Sequence, residues 1–325
     1  MKLATYRYRG TEHCGVVDGG RVHPLRGSRM LDVVSIGLDR ALELGHRATR
    51  ATGLPLQDVR LLAPLRPPSM RDFVAFEEHV AGVRRSIDHA TGVPDAWYDA
   101  PTFYFTNPHT VLGPDDDVAF PAACELRDFE LEVAVVIGRE GRSVRAEDAR
   151  GHVFGYTLLN DWSARDLQSR EMQFGLCPSK GKDFASTLGP WIVTADELEH
   201  SRDGDGFLTL WCAASVNGVE VGRDLLSNMG WTFESLISQA SRDARIVPGD
   251  VLGSGTVGNG GCLAELWGRH GRQDPPPLQP DDVVTLTVEG IGSLSNRVTR
   301  AAAVPGVVPP RRRSPSDARA LATRG

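Results

Sequence analysis

The stretch that decides the fold is Arg127-Asp128-Phe129-Glu130-Leu131-Glu132-Val133-Ala134-Val135-Val136-Ile137-Gly138, in which acidic and apolar residues alternate before an apolar run. Successive side chains of a strand point to opposite faces, so this alternation predicts a strand. Asp128, Glu130 and Glu132 would share one face, with Glu130 and Glu132 about 6.5–7 Å apart at a rise of about 3.3 Å per residue. Two carboxylates at that separation can converge on one cation.

A solvated acidic face is the alternative interpretation of this strand, because antiparallel sheets commonly have one face in water. Three like charges on one face weaken that interpretation, since neighbouring carboxylates repel and no basic residue lies between them. A bound divalent metal would remove the repulsion. The stretch alone leaves both interpretations open.

Composition excludes several classes of function. The chain has 325 residues, a formal net charge of −6 and 41% apolar residues, enough for a sizeable core in one large domain or two smaller ones. There is no excess of basic residues to suggest a nucleic-acid partner, and no run of about 18 apolar residues to suggest a membrane span. The N-terminus lacks the apolar core of a signal peptide. We therefore expect a soluble protein that stays in the cytoplasm.

The chain divides into three parts by pattern. Residues 1–65 predict a small N-terminal α/β domain, with a β meander over residues 2–25 and a helix over residues 31–49. A proline-rich connector over residues 61–69 marks its end. Residues 66–304 predict a β-rich catalytic domain, and residues 305–325 predict a disordered tail because they have no apolar period.

Within the second part, the pattern predicts helices at 70–90, 163–173 and 231–241. It predicts strands at 103–105, 111–112, 127–138, 155–160, 188–194, 207–216, 250–254, 262–268 and 282–289. Strands dominate, so the predicted class is β-rich α+β.

Three further segments accompany the acidic strand: Asn160-Asp161-Trp162-Ser163-Ala164-Arg165-Asp166-Leu167-Gln168, Lys180-Gly181-Lys182-Asp183-Phe184 and Leu252-Gly253-Ser254-Gly255-Thr256-Val257-Gly258. With the paired glutamates, their order and spacing resemble the fumarylacetoacetate hydrolase family across roughly residues 65–300. The resemblance implies a mixed β-sandwich roll with an open metal site at its mouth, commonly in a homodimer.

The resemblance also implies roles for individual residues. Glu130, Glu132 and Asp161 would be metal ligands, and Arg165 would lie beside the metal shell. Lys182 would be a cation that faces the substrate or a developing enolate. Gln168 would donate a hydrogen bond to the substrate, and Thr256 would contact the substrate's carboxylate. Members nearest to fumarylacetoacetate hydrolase carry a further ligand and a catalytic histidine upstream. Asp72 and His79 reproduce that spacing of seven, which returns to the same helix face after about two turns.

The chemistry of these residue types agrees with the implied roles. Three carboxylates with no His or Cys beside them form a hard oxygen site, which suits Mg²⁺ or Mn²⁺, and Asp72 as a fourth carboxylate makes Ca²⁺ possible. Lys182 follows a glycine that lets the backbone approach closely, and it would place a positive charge beside a 2-oxo acid. Without the resemblance, Lys182 could be a surface lysine and Asp161 only a helix cap.

Two departures from the family pattern concern the partner of His79. Acylpyruvate hydrolases carry a glutamate three residues after the histidine, where this chain has Gly82. Fumarylacetoacetate hydrolases supply the acid from the loop after Ser-Gly, where this chain has Thr256-Val257. The acid that would orient His79 is therefore not visible in either usual place.

The same segment bears on substrate access. If residues 70–90 form a mobile lid, Gly82 and Gly92 are candidate hinges. Arg84 would lie near the mouth of the site and attract an anionic substrate. Aromatic residues such as Tyr104 would line the pocket for the substrate's side chain, although they could equally belong to the core.

Three functions follow from these residues. The first is hydrolysis of the carbon–carbon bond of a 1,3-dicarbonyl acid, with the metal as Lewis acid, His79 as the base for water and Lys182 stabilising the leaving enolate. The second uses the same site without an attacking water, as a decarboxylase, hydratase or keto–enol tautomerase of a 2-oxo acid. The third is a catalytically idle domain with a structural Ca²⁺ site. Lys182 and His79 disfavour this function, because a structural metal site does not require cationic residues.

Overall fold

The fold comes from a computed structural model that describes residues 1–87 and 89–311. Strands dominate and the helices are short, which confirms the predicted β-rich α+β class. Two sheets pack together, a mixed twelve-stranded sheet and a five-stranded sheet. Within the described part of the chain, no helix is both long and apolar enough to cross a bilayer.

The large sheet contains strands from both the predicted N-terminal domain and the predicted catalytic domain. In spatial order its strands are Leu54–Pro55, Arg21–Pro24, Thr11–Asp18, Lys2–Tyr8, Ser186–Thr194, Val153–Asp161, Leu131–Ile137, Val251–Gly253, Met70–Phe73 and Phe103–Thr106. Arg60–Leu61 pairs with Lys2–Tyr8, and Val111–Leu112 pairs with Ser186–Thr194. The N-terminal strands thus extend the same sheet that carries the acidic residues.

The second sheet and the helices complete the architecture. The order of the second sheet is Val219–Leu225, Trp211–Val216, Val283–Val288, Gly292–Arg300 and Val118–Phe120. Short pairs join Arg127–Asp128 to Ser163–Ala164 and Gly141–Arg142 to Arg245–Ile246. The α-helices are Met30–Ser35, Leu38–Ala48, Glu77–Ser86, Ala96–Asp99, Ala146–Ala149, Arg165–Met172, Ala195–Leu198, Phe233–Ser241 and Leu263–His270.

The strand Leu131–Ile137, here called the central strand, lies between Val153–Asp161 and Val251–Gly253. Its odd-numbered residues pack into the core shared with the second sheet, while Ala134 and Val136 face the core beneath the N-terminal helices. Every residue of the quoted stretch from 127 to 138 is buried. The alternative of a solvated acidic face is therefore wrong.

Three predicted elements were wrong. Residues 31–49 form two helices, Met30–Ser35 and Leu38–Ala48, because Gly37 adopts a φ of 84° between them. Residues 70–90 contain the strand Met70–Phe73 before the helix Glu77–Ser86.

Residues 262–268, predicted as a strand, belong to the helix Leu263–His270. The Cys262 sulfur accepts a hydrogen bond from the Glu265 amide and caps the first turn. Gly271 ends the helix in the left-handed region, with a φ of 67°. Of the predicted tail, residues 305–311 are exposed and have no regular structure, and residues 312–325 lie outside the described part.

Candidate metal centre

Four predicted carboxylates meet at one place beside the large sheet. Glu132 lies on the central strand and Glu130 just before it, while Asp161 ends the neighbouring strand. Asp72, Glu130 and Glu132 each place a carboxylate oxygen within 4.8 Å of the others. Asp161 joins them through Lys182, whose ammonium donates to both Glu130 and Asp161. Residues far apart in sequence thus form one buried acidic cluster.

Asp72 reaches this cluster from a strand and not from a helix as expected. Met70–Phe73 pairs in parallel with Val251–Gly253, which is itself the neighbour of the central strand. The spacing of seven between Asp72 and His79 therefore spans a strand, a bend and the start of a helix. The helical reason for pairing them was wrong, although both side chains line the same cavity.

Among the residues that the structure describes, the cluster has buried oxygens without hydrogen-bond partners. These atoms are Asp72 Oδ1, Asp161 Oδ1 and both carboxylate oxygens of Glu132. Burial, followed by the charge of neighbouring carboxylates, raises the pKa of Asp72 and Glu132 well above the usual range. Unpaired carboxylate oxygens at this burial are costly unless a cation accompanies them.

Gly253 leaves the space in which these carboxylates converge. A Cβ atom there would lie 2.5 Å from Asp72 Oδ1 and 2.7 Å from Glu132 Oε2. The third neighbour is Leu159 Cδ2 at 2.8 Å, so the polar atoms nearest this point are the two carboxylate oxygens, and such donors suit a hard divalent cation such as Mg²⁺ or Mn²⁺. The residues present therefore fit the metal that the family resemblance implies.

Lys182 is a buried cation and not a surface lysine. Its Nζ lies 2.6 Å from Asp161 Oδ2 and also contacts Glu130 Oε2, and the residue is only 3% exposed. Burial lowers its pKa, but the two carboxylates outweigh burial and the net shift is upward. Lys182 and Arg165 in turn outweigh the effect of burial on Glu130 and hold its pKa below the usual range.

Arg165 lies behind the cluster and fixes the orientation of Glu130. Its guanidinium contacts Glu130 Oε1 at 2.7 Å, Asp128 Oδ2 at 2.8 Å and Gln168 Oε1 at 3.0 Å. Asp128 does not join the metal cluster, because it accepts hydrogen bonds from the first amides of the helix Leu263–His270. Arg165 thus joins Glu130, Asp128 and Gln168, and Gln168 also lines the cavity.

His79 lies between the acidic cluster and a thiol. Its Nε2 is 3.8 Å from Glu130 Oε1, and its Nδ1 is 3.6 Å from the Cys262 sulfur. Burial lowers the pKa of His79 to about 4, although Glu130 opposes that shift, so the imidazole is neutral at pH 7. Within residues 1–87 and 89–311, no carboxylate lies at hydrogen-bond distance from His79 Nδ1.

Gly82 lies inside the helix Glu77–Ser86 and packs closely against the helix Leu263–His270. A Cβ atom at Gly82 would lie 2.5 Å from Glu265 Cγ, and one at Gly268 would lie 2.0 Å from the Gly82 carbonyl oxygen. The helices Glu77–Ser86 and Leu263–His270 therefore cross with almost no space between their backbones. Glu265 is fully buried beside this crossing, and burial raises its pKa to about 7 despite the ion pair with Arg269.

The remaining predicted residues line a cavity of about 580 Å³ above the cluster. Tyr104 donates its hydroxyl hydrogen to Asp161 Oδ2, so it contacts the acidic cluster directly. The Thr256 hydroxyl is buried, has no hydrogen-bond partner in the described part of the chain, and belongs to a residue that lines the cavity. Arg84 lies at the wall, but its Nη1 donates to the carbonyl oxygens of Thr91 and Gly92.

Comparison with known protein families agrees with this arrangement. Residues 69–299 match the family model described as the fumarylacetoacetate hydrolase C-terminal domain. The chain belongs to the fumarylacetoacetate hydrolase family. Residues 1–64 match a second model, described as the Rv2993c-like N-terminal domain.

The proteins similar to this chain include oxaloacetate tautomerases and a fumarylacetoacetate hydrolase. The oxaloacetate tautomerase fahd2 of Xenopus laevis is 28% identical over 87% of this chain and 82% of that protein. The oxaloacetate tautomerase YisK of Bacillus subtilis is 30% identical over 75% of this chain and 74% of that protein. The solved fumarylacetoacetate hydrolase of Exiguobacterium antarcticum is 26% identical, with a TM-score of 0.70, over 93% of this chain and all of that chain.

Three residues that shape the site of this fumarylacetoacetate hydrolase family member were not predicted from the sequence. Asn160 accepts a hydrogen bond from the Glu130 amide, Gly253 leaves room for the carboxylates, and Cys262 contacts His79. Asn160 and Gly253 were visible as parts of the quoted motifs. No signal pointed to Cys262, because its contact with His79 spans 183 positions.

Proposed function

We propose that this protein is a metal-dependent enzyme that interconverts the keto and enol forms of a 2-oxo acid. The observation that carries the proposal is that His79 Nδ1 lies 3.6 Å from the Cys262 sulfur and, within residues 1–87 and 89–311, has no carboxylate at hydrogen-bond distance. Hydrolysis needs a base that an acid orients towards a water molecule. Proton transfer to and from carbon needs only the base, so this site suits tautomerisation better.

The metal would be held by Asp72, Glu130, Glu132 and Asp161. Asp72, Glu130 and Glu132 place carboxylate oxygens within 4.8 Å of one another, and within the described part of the chain Asp72, Glu132 and Asp161 have oxygens without hydrogen-bond partners. When bound, Mg²⁺ or Mn²⁺ would supply a Lewis acid that polarises the 2-oxo group. Arg165 would keep Glu130 in place, because its guanidinium contacts both Glu130 and Asp128.

His79 and Lys182 would carry the chemistry of this chain. The neutral imidazole of His79 would take the proton from the carbon next to the 2-oxo group, and the imidazolium so formed would give that proton to the substrate oxygen, which completes the enol and restores the neutral base. The reverse reaction would follow the same steps backwards. Lys182 would stabilise negative charge that develops on the substrate oxygen, because its ammonium is buried and already aligned with Glu130 and Asp161. Thr256, whose buried hydroxyl has no protein partner, would bind the substrate carboxylate.

Hydrolysis of a 1,3-dicarbonyl acid is the second candidate. The fumarylacetoacetate hydrolase of Exiguobacterium antarcticum, at 26% identity, favours it. In that reaction His79 would act on a water molecule in the cavity, and Lys182 would stabilise the enolate that leaves. The two reactions differ because hydrolysis breaks a carbon–carbon bond of the substrate, whereas tautomerisation breaks none.

The test follows the ultraviolet absorbance of the enol form of oxaloacetate and of acetylpyruvate, with Mg²⁺, with Mn²⁺ and with chelator. We expect metal-dependent acceleration of the approach to keto–enol equilibrium, without release of pyruvate from acetylpyruvate. Full activity in excess chelator would contradict the metal assignment. Stoichiometric release of pyruvate and acetate would mean that the protein is a hydrolase and not a tautomerase.

A further inference from the structure

We propose that the protein has a second metal-ion site, formed by His79, Cys262 and Glu130, which binds Zn²⁺ and inhibits the enzyme when it is filled. This site lies beside the acidic cluster and shares Glu130 with it. Binding of the ion goes beyond the proposed function, because it needs no substrate. Only the inhibition rests on the proposed function, in which His79 acts as a base.

Three different ligand types converge at this site. One ligand atom each of His79, Cys262 and Glu130 lies within 4.8 Å of the other two. His79 Nδ1 is 3.6 Å from the Cys262 sulfur, and His79 Nε2 is 3.8 Å from Glu130 Oε1. Tetrahedral Zn²⁺ has bonds of about 2.0–2.3 Å and so holds its ligand atoms about 3.3–3.6 Å apart. Side-chain rotations of about 1 Å therefore bring one imidazole nitrogen, the sulfur and the carboxylate to bonding distance.

The donor set of this site differs from that of the acidic cluster. Carboxylate oxygens are hard donors that suit Mg²⁺ or Mn²⁺, whereas an imidazole nitrogen with a thiolate sulfur suits Zn²⁺ or Co²⁺. Glu130 has one oxygen on each side, because Oε1 lies towards His79 and Oε2 contacts Lys182. Arg165 also contacts Oε1, at 2.7 Å, and a carboxylate oxygen has two lone pairs to share. Neighbouring positions can therefore hold two different ions.

The buried groups around the two sites can balance the charge of two divalent cations. Five carboxylates and a thiolate would carry six negative charges, and two buried cations offset two of them. These groups are Asp72, Asp128, Glu130, Glu132, Asp161 and Cys262, with Lys182 and Arg165 as the cations. The thiol gives its proton to the solvent as the metal–sulfur bond forms. Buried charges need such compensation, so the thiolate and the second ion stabilise each other.

The cavity gives an ion a route to this site. His79 and Glu130 line the cavity of about 580 Å³, and Cys262, in contact with His79, is fully buried. Zinc sites with three protein ligands beside a cavity keep a fourth position for water. Zn²⁺ bound here would take a nitrogen lone pair of His79. The imidazole could then accept no proton from a substrate, which is the physical reason for inhibition.

The first test uses Co²⁺ as a spectroscopic substitute for Zn²⁺ in protein saturated with Mg²⁺. A thiolate bound to Co²⁺ gives a charge-transfer band in the near ultraviolet, whereas Co²⁺ held by carboxylates alone gives none. We expect Co²⁺ to produce this band, and we expect Zn²⁺ to displace the cobalt and remove it. Absence of the band from the wild type would overturn the inference.

Substitution of one thiol locates the ion. Cys262→Ser keeps a side-chain acceptor for the Glu265 amide, so the helix cap and the fold should be retained, as thermal melts in chelator will show. Calorimetry of the Mg²⁺-loaded variant should show Zn²⁺ binding weakened by at least about tenfold, and the cobalt band should be lost. His79→Asn should weaken Zn²⁺ binding to a similar extent.

Cys177→Ser is the matched control, because Cys177 is an exposed thiol that lines the same cavity. This variant should keep both the cobalt band and the affinity for Zn²⁺. Unchanged Zn²⁺ affinity in Cys262→Ser and in His79→Asn would place the zinc in the acidic cluster and would overturn the inference.

Activity measurements separate this inference from the proposed function. With saturating Mg²⁺, Zn²⁺ should slow tautomerisation by at least about tenfold in the wild type and by less than about threefold in Cys262→Ser, each relative to its own rate without zinc. If the Cys262-dependent band appears but no enol is converted, the zinc site stands and the proposed function fails. If enol is converted but the band is absent, the zinc site is wrong and the proposed function stands. Equal inhibition of both proteins would mean that zinc inhibits from the acidic cluster, which contradicts the inference.

Discussion

Replacing Glu132 by glutamine should stabilise the metal-free protein and abolish its response to metal. The carboxylate oxygens of Asp72, Glu130 and Glu132 lie within 4.8 Å of one another. At that distance, two unit charges repel by about 3 kcal/mol with an effective dielectric constant near 20. Partial protonation in the wild type relieves some of this repulsion, so we expect a gain of about 1–3 kcal/mol in the free energy of unfolding.

The pH dependence of this gain has a defined sign. The pKa of Glu132 is raised in the folded state, so folded wild type holds its proton over a range in which the unfolded chain has lost it. Wild-type stability therefore falls as pH rises above the ordinary carboxyl pKa. The advantage of Glu132→Gln should be large at pH 8 and should shrink towards pH 5.

Thermal melts with chelator and with saturating Mn²⁺ provide the assay. Metal at 100 times its dissociation constant adds about 2.7 kcal/mol to the wild type, which is about 5 °C at roughly 2 °C per kcal/mol. Glu132→Gln should melt above wild type in chelator and should not respond to metal. Glu265→Gln is the matched control, because Glu265 is equally buried but outside the cluster, and it should keep the metal response. A Glu132→Gln variant that gains as much from metal as the wild type would mean that Glu132 is not a metal ligand.

Three further substitutions test the site and its frame. Gly253→Ala should weaken metal binding by at least about tenfold in calorimetry, because its Cβ would lie 2.5 Å from Asp72 Oδ1 and 2.7 Å from Glu132 Oε2. Gly204→Ala is the control and should leave the affinity unchanged, because a Cβ at Gly204 would have no described atom within 4 Å. His79→Asn should slow proton exchange at the substrate carbon by at least about 100-fold while metal affinity is preserved, and a rate within about threefold of wild type would exclude it as the base. Gly82→Ala should lower the free energy of unfolding by about 1–3 kcal/mol in denaturant titrations, because its Cβ would lie 2.5 Å from Glu265 Cγ; an unchanged midpoint would mean that the two helices can separate.

The acidic strand was predictable because its signal is local. Alternation placed Glu130 and Glu132 on a strand or at its start, and the family motifs brought Asp161 and Lys182 to the same site. The burial of the stretch could not be read from the sequence, since a solvated face has the same pattern. It depends on neighbouring strands and on Arg165, which offsets part of the acidic charge.

The errors lie where distant parts of the chain decide local structure. Met70–Phe73 is a strand because it pairs with Val251–Gly253, about 180 positions away, and its own residues carry no strong period. Residues 263–270 form a helix capped by Cys262 and ended by Gly271, whereas a short apolar run is ambiguous between helix and strand. The thiol beside His79 results from that same helix, so the sequence could show that the usual acid was missing but not what replaced it.

The proposed function requires that this site move protons on a 2-oxo acid and leave its carbon skeleton intact. The most direct test is nuclear magnetic resonance of an acylpyruvate in D₂O with the Mn²⁺-free, Mg²⁺-loaded enzyme. We expect enzyme-dependent exchange of deuterium at the carbon between the two carbonyl groups, with the acylpyruvate otherwise unchanged. Conversion of the acylpyruvate into pyruvate and a second carboxylic acid, at a rate matching or exceeding that exchange, would contradict the claim.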